Sequence, residues 1–170
     1  MLIKKSLKNL MLVFLVIIYS CERDQPVFGE NGMVVSTSSQ ASQVGIDIMK
    51  AGGNAIDAAA AVGFALAVTS SSNGNIGGGG FMTVKLENGN SFTLDYREMA
   101  PKAASRNMYL DREGNVIKGK SRYTHFAAGV PGSVDGLLKA WRDYGSGNIS
   151  RKQLLDPAIN LAENGFKLSK

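Results

Sequence analysis

The sequence predicts an α+β fold in which a long apolar helix is followed by a β-hairpin. Residues 55–69 have helical length and contain a single charge, Asp57, among alanines, valines and leucines. Residues 81–87 and 91–97 alternate apolar and polar side chains, which is the pattern of β-strands. An Asn-Gly pair lies between them and is a turn signal, so we expect the two strands to form a hairpin.

Residues 1–20 have the organisation of an export signal. Three lysines precede an apolar run, residues 10–19, that is too short to span a membrane. The run ends at Ile-Tyr-Ser-Cys, which resembles a bacterial lipobox, where the cysteine, here Cys21, is lipidated and becomes the new N-terminus. The alternative is a plain secretory signal with an incidental cysteine. We favour lipidation, which would hold the exported protein to a membrane in the periplasm or cell envelope.

The charge and the metal-binding residue types exclude several classes of protein. Three of the 19 basic residues lie in the signal, whereas all 14 acidic residues follow it, so the excess of +5 is largely a property of the signal. No basic stripe or aromatic platform indicates a nucleic-acid partner. Cys21 is the only cysteine and His125 the only histidine, which excludes a disulfide framework and a cysteine- or histidine-rich metal site.

The segment before the apolar helix is predicted to contain a tether, a strand and a helix. Residues 21–31 are polar and interrupted by proline and glycine, as in a tether. Residues 33–36 favour a short strand. Thr37 and Gln40 have capping-box spacing for a helix that a Gly-Gly pair at 52–53 would end.

The apolar helix is predicted to lie inside the domain. Asn54 is a good N-cap after the Gly-Gly break, and Asp57 lies in the first turn, where the helix dipole favours an anion. The helix is apolar on all sides, so other elements must cover it.

The register of the hairpin is predicted from the faces of its strands. A three-residue loop, residues 88–90, keeps apolar partners on one face. The pairs would be Leu86 with Phe92, Val84 with Leu94, and Met82 with Tyr96. Asp95 and Arg97 would then project together from the other, less apolar face.

Further helices are predicted after the hairpin. Five apolar residues share one face of a helix that a glycine ends: Val134, Leu137, Leu138, Trp141 and Tyr144. Ser150 and Gln153 have capping-box spacing for a short helical turn. Pro157 would interrupt a longer helix, so we expect Asp156 to cap a new helix that ends at Gly165.

The sequence contains two glycine-containing loops. Residues 77–80 precede the hairpin, and residues 125–132 precede the helix that carries Val134. The first lacks the spacing of a phosphate-binding loop and precedes a strand, whereas phosphate loops precede helices. We therefore expect this glycine run to pack backbone against backbone or to line a pocket. His125, alone beside the second loop, is interpreted as structural, since no G-x-S-x-G motif accompanies it.

Arg97 is the most informative charge. Its guanidinium offers paired donors that match a carboxylate, which suits the α-carboxylate of a substrate. The alternative is a structural ion pair with Asp95 or Glu98. The chemistry of these residues does not choose between the two.

Four ordered segments resemble the N-terminal part of the gamma-glutamyltransferase family, also called gamma-glutamyl transpeptidases or glutathione hydrolases. They read AGGNAIDAAAAVGFALAVT, NGNIGGGGFM, LDYREMAP and HFAAGVPGSVDG. The resemblance implies that residues 32–170 are the N-terminal portion of the family's large subunit. It also implies the α+β sandwich of the N-terminal-nucleophile hydrolases, αββα in layers and incomplete here.

The resemblance assigns one site residue in this chain. Arg97 matches the arginine that binds the α-carboxylate of the γ-glutamyl group. The family's nucleophile is a threonine exposed by autocleavage at the start of the small subunit, and it is not in these residues. Thr124 precedes a histidine and an aromatic, as that threonine does, but the sequence after it matches the large subunit instead.

The resemblance thus implies the front part of an enzyme that attacks the γ-glutamyl amide of glutathione and passes the acyl group to water or an amino acid. These residues alone are expected to be inactive, and their partners would be the rest of the two subunits. No metal or organic cofactor is implied. The alternatives are a non-catalytic surface lipoprotein with this fold, or a family acylase or poly-γ-glutamate transpeptidase.

Overall fold

The computed structural model describes residues 26–73 and 76–168. The predicted signal and Cys21 lie outside the described residues. Residues 26–33 belong to a separate unit; they contain no helix or strand and are exposed. The second unit begins at Val34 and contains all the elements below.

The second unit combines helices with one hairpin, as the sequence predicts. Its helices are α1 (Ser39–Lys50), α2 (Ala55–Thr69), α3 (Lys120–Tyr123), α4 (Ser133–Tyr144) and α5 (Arg151–Asn164), with a 3-10 turn at His125–Ala127. Its strands are β1 (Phe81–Lys85) and β2 (Ser91–Asp95), which pair antiparallel. None of the helices in the described part of the chain has the length and hydrophobicity that crossing a membrane requires.

Helix α2 is the centre of the core, which confirms its predicted burial. The Asn54 side chain accepts hydrogen bonds from the N–H groups of Ile56 and Asp57, and the Asp57 carboxylate accepts one from the Asn54 N–H in return. Helices α1, α4 and α5 pack on α2. The main core cluster joins all four helices, and its buried members are Ile48, Ala58, Ala60, Ala61, Phe64, Leu137, Ile149, Leu154 and Ala158.

Two predictions before α2 are wrong. Residues 33–36 form no strand, since nothing in the described residues pairs with them, and Val34 instead packs beside Ala41 and Val62. The N-cap of α1 is Ser38, not Thr37, and its hydroxyl accepts from the N–H of Ala41 at 3.3 Å. Ser and Thr are both good N-caps, so the sequence pattern does not decide between neighbours.

The predicted break at Pro157 is also wrong, because α5 runs continuously through it from the Ser150–Gln153 capping box. Interior proline costs a helix about 3 kcal/mol. Burial of a leucine side chain contributes about 1.5–3 kcal/mol, and Leu154 is fully buried against α2, with buried Ala158 one turn later. Asp156 pairs with Lys152 instead of capping a new helix.

The hairpin has a register different from the predicted one. Val84 pairs with Phe92, and the loop is residues 87–89, where Gly89 has φ +85°. The third position of such a loop takes a left-handed conformation, which glycine adopts without strain. The loop therefore has Gly89 at its third position. The register moves by two residues, so the predicted faces are retained.

The apolar face of the hairpin packs on the start of α2 and on α4. Ile56, Val84 and Ala140 form its buried centre, and the ring of Tyr144 lies 4.1 Å from that of Phe92. This packing fixes the direction in which the chain leaves β2, and Arg97 lies at that exit.

Candidate functional site

Arg97 follows the last paired residues of the hairpin. Beyond β2, the Tyr96 N–H donates to the Gly80 carbonyl at 3.0 Å, and the Gly80 N–H donates to the Tyr96 carbonyl at 3.4 Å. The backbone N–H of Arg97 donates to Asp95 Oδ1 at 3.0 Å. The position of the arginine backbone is therefore tied to the sheet.

The first glycine loop packs directly on the backbone of this segment. A Cβ added at Gly79 would lie 2.7 Å from the Cα of Arg97, 2.6 Å from the N of Glu98 and 2.6 Å from the Tyr96 carbonyl oxygen. No side chain fits in that space. The prediction that the glycines allow backbone to pack against backbone is confirmed at Gly79.

The second glycine loop holds the same segment. A Cβ at Gly132 would lie 2.0 Å from the Tyr96 carbonyl oxygen. Met99 and Val130 exchange backbone hydrogen bonds of 3.2 and 2.8 Å. The two loops also meet each other, because the Gly78 carbonyl accepts from the N–H of Gly132 at 2.9 Å.

This convergence was not predicted from the sequence. The sequence indicates residues 77–80 and 125–132 only as two separate loops. The available signal was that both contain glycines, which let another backbone approach closely.

The ring of Tyr96 lies between Gly80 and Gly136, one from the first glycine loop and one from α4. A Cβ at Gly136 would come within 2.1 Å of the ring, and one at Gly80 within 3.0 Å. Burial raises the pKa of Tyr96 above its ordinary value.

A cleft of about 250 Å³ opens beside Arg97. Its charged lining residues are Asp95, Arg97, Asp135 and Lys139, and its other lining residues are Leu94, Tyr96, Met99, Val130, Pro131, Gly132 and Gly136. Lys139 is paired with Asp143.

The guanidinium of Arg97 is exposed and forms no ion pair with Asp95 or Glu98, nor with any other carboxylate of the described residues. The structural ion pair considered from the sequence is therefore wrong. The backbone of Arg97 is fixed and its guanidinium is unpaired, so the guanidinium can bind an anion from solution.

Thr124 and His125 line no part of this cleft. The Thr124 hydroxyl donates to the Lys120 carbonyl at 2.7 Å, and the His125 ring packs 4.2 Å from the ring of Phe126. Both residues are exposed. Within the described ranges, no group of three or more His, Cys, Asp or Glu side chains could hold a metal ion.

Residues 41–170 match the gamma-glutamyltranspeptidase family. The chain belongs to this family. It is 57% identical over 143 residues to a glutathione hydrolase proenzyme from Pseudomonas sp. (strain A14), covering 84% of the chain and 24% of the relative. It is 49% identical over 150 residues to the Escherichia coli (strain K12) glutathione hydrolase proenzyme, covering 87% of the chain and 26% of the relative.

The fold agrees with the family. The crystal structure of Helicobacter pylori gamma-glutamyltranspeptidase superposes with a TM-score of 0.79 and 47% identity, over 85% of this chain and 41% of that one. The predicted fold class, an α+β fold of the N-terminal-nucleophile hydrolase type, is confirmed. The chain spans about a quarter of the length of the curated gamma-glutamyltranspeptidase relatives named above.

Proposed function

We propose that the protein carrying this chain is a γ-glutamyl transfer enzyme that cleaves glutathione, and that Arg97 binds the α-carboxylate of the γ-glutamyl group. The observation that carries the proposal is the unpaired guanidinium of Arg97 at the cleft. Both relatives compared above are named glutathione hydrolase proenzymes. Substrate, activity and subunit partners are proposed because the chain matches about a quarter of those relatives.

The chemistry of the cleft suits an amino-acid carboxylate. Arginine presents a planar fork of N–H donors, which two carboxylate oxygens accept in parallel. Lys139, the other cation in the lining, is paired with Asp143. An incoming carboxylate would therefore find one unpaired cation among the described lining residues.

The proposed reaction is acyl transfer in two steps. A threonine hydroxyl attacks the γ-carbonyl carbon of the substrate, the amide C–N bond breaks, and the departing amine takes a proton. Water or the amine of an amino acid then attacks the ester and releases the threonine. By family resemblance the threonine comes from the small subunit, so the residues described here hold the substrate and do not attack it.

Subunit organisation and location are further parts of the proposal. The family resemblance and the name proenzyme support a precursor that cleaves itself into two subunits. The signal-like residues 1–20 support export, and the lipobox-like sequence ending at Cys21 supports a lipid anchor in the cell envelope. Mass spectrometry of the natural protein would test the anchor: a diacylglyceryl group on Cys21 is expected, and an unmodified thiol would contradict it.

The names of the relatives favour glutathione as the substrate over the substrates of the acylases and poly-γ-glutamate transpeptidases in the family. The acylase and poly-γ-glutamate alternatives share the fold, and the non-catalytic alternative would keep the fold without the chemistry. No feature of the cleft beside Arg97 favours any of these three.

The test is an assay of the natural full-length protein with glutathione. Release of glutamate, and of p-nitroaniline from γ-glutamyl-p-nitroanilide, is expected. A folded, processed protein that releases neither product would overturn the proposal. If the protein cleaves only an acyl side-chain amide or only poly-γ-glutamate, the acylase or the poly-γ-glutamate alternative is favoured, respectively.

A further inference from the structure

Asp95 contacts Arg97 through the backbone and not through charge. It is the last residue of β2, and its Oδ1 accepts a hydrogen bond of 3.0 Å from the Arg97 N–H. Both side chains are exposed and line the same cleft. The Asp95 carboxylate forms no ion pair with the guanidinium, although both groups are described.

The hydrogen bond fixes the turn by which the chain leaves the sheet. A side-chain oxygen that accepts from the N–H two residues later restricts the backbone between them. Gly79 also lies close to the Arg97 Cα, since an added Cβ would lie 2.7 Å from it. The start of the long arginine side chain is therefore held, and its head is left for the substrate.

We propose that Asp95 is a positioning residue for Arg97, and this rests on the proposed role of Arg97 in binding the substrate carboxylate. Asp95 acts as a hydrogen-bond acceptor for the Arg97 N–H. The contact requires the acceptor oxygen and not the negative charge, because its donor is a neutral backbone N–H. Asparagine at this position keeps an acceptor oxygen.

The experiment measures KM and kcat for γ-glutamyl-p-nitroanilide in the natural full-length protein. Asp95→Ala removes the acceptor and should raise KM roughly three- to tenfold, the range expected from one hydrogen bond, with kcat little changed. Asp95→Asn keeps an acceptor oxygen and should leave KM near the wild-type value. A purely structural role would lower the melting temperature of Asp95→Ala without this change in KM.

Asp111 provides a matched control. Its Oδ1 also accepts a backbone N–H, from Asn115 at 2.8 Å, in an exposed turn that does not line the cleft. Asp111→Ala loses a similar bond and should leave KM unchanged. An equal rise of KM in Asp111→Ala would show that the effect is general, and the positioning role would be rejected.

The remaining outcomes separate this inference from the proposed function. If Arg97→Ala leaves KM unchanged, the proposed function fails; if Arg97→Ala raises KM and Asp95→Ala does not, only the positioning role fails. If Asp95→Asn raises KM as much as Asp95→Ala does, the charge of Asp95 is required, and the proposed role as a hydrogen-bond acceptor is overturned. The double variant should be no worse than Arg97→Ala alone, because Asp95 works through Arg97; additive effects would refute this.

Discussion

Asp57 and Arg97 are charged residues in two regions where backbone packs tightly, and their charged groups have opposite environments. Asp57 is fully buried, and its Oδ2 accepts from the N–H groups of Asn54 at 2.8 Å and Ser146 at 2.9 Å. Arg97 is exposed, and its guanidinium has no ion pair among the described residues. In both regions a neighbouring glycine leaves room: a Cβ at Gly145 would lie 2.4 Å from Asp57 Oδ1.

The difference separates a group used for folding from a group available for binding. The hydrogen bonds of Asp57 join the start of α2 to the turn after α4, so its charge is used within the domain. In the region of Arg97 the packing holds the backbone, while the head of the side chain points to a cleft. A substitution at the first residue should therefore change stability, and one at the second should change substrate binding.

The largest effect is expected from Asp57→Ala. It leaves the N–H groups of the half-buried residues Asn54 and Ser146 without their acceptor, which should lower the free energy of unfolding by about 3 kcal/mol. Chemical denaturation of the natural full-length protein measures this, and Asp57→Asn, which keeps one acceptor oxygen, should lose less. A rise in KM with unchanged stability would contradict the distinction between the two regions.

Arg97→Ala is expected to act on binding. Loss of a charge-assisted hydrogen-bonded pair should raise the KM for the γ-glutamyl donor roughly ten- to a hundredfold, the equivalent of about 1.5–3 kcal/mol. Arg97→Lys keeps the charge but loses the planar fork, so its KM should lie between the values of the wild type and of Arg97→Ala. Melting temperature and subunit processing should stay near wild type in both. An unchanged KM in Arg97→Ala would exclude the substrate-binding role.

Gly79→Ala tests whether the glycine loop positions Arg97. The added Cβ must displace the backbone of residues 96–98, so we expect a loss of about 1–3 kcal/mol in stability and a raised KM. Gly45→Ala is the control, because its Cβ would clash at 2.7 Å with Val62, in the helical core. It should lower stability without changing KM; a similar KM in the two variants would contradict the positioning role of the loop.

The smallest effect concerns Tyr96 and pH. Its folded-state pKa is raised by burial above 10.0, so the folded protein retains the proton after the unfolded chain has lost it. The contribution to stability is present below about pH 10 and is lost as the pH rises through the folded-state pKa. The stability difference between wild type and Tyr96→Phe should therefore become less favourable to wild type above that pH.

Local features of this chain were predictable because their causes are local. The bounds of α2 follow from Asn54 and from the end of the apolar run at Thr69, and both agree with the structure. The amphipathic face predicted α4, and the Ser150–Gln153 spacing predicted the start of α5. The chemistry of Arg97 and the family resemblance identify it as a candidate without any tertiary contact.

Tertiary structure decided the features that depend on residues distant in the chain. Pro157 remains inside α5 because burial of Leu154 against α2 compensates for the lost helical hydrogen bond. The hairpin register is different, because its cause is local: a left-handed conformation at Gly89 in the turn.

The role of the glycines also depends on tertiary structure, because Gly79 and Gly132 are 53 positions apart in the chain and both lie against the backbone beside Arg97. The sequence by itself determined which residues can approach a backbone closely and which can bind a carboxylate. Folding determined that these residues meet, because the packing of the hairpin on α2 and α4 brings both loops to one end of the sheet.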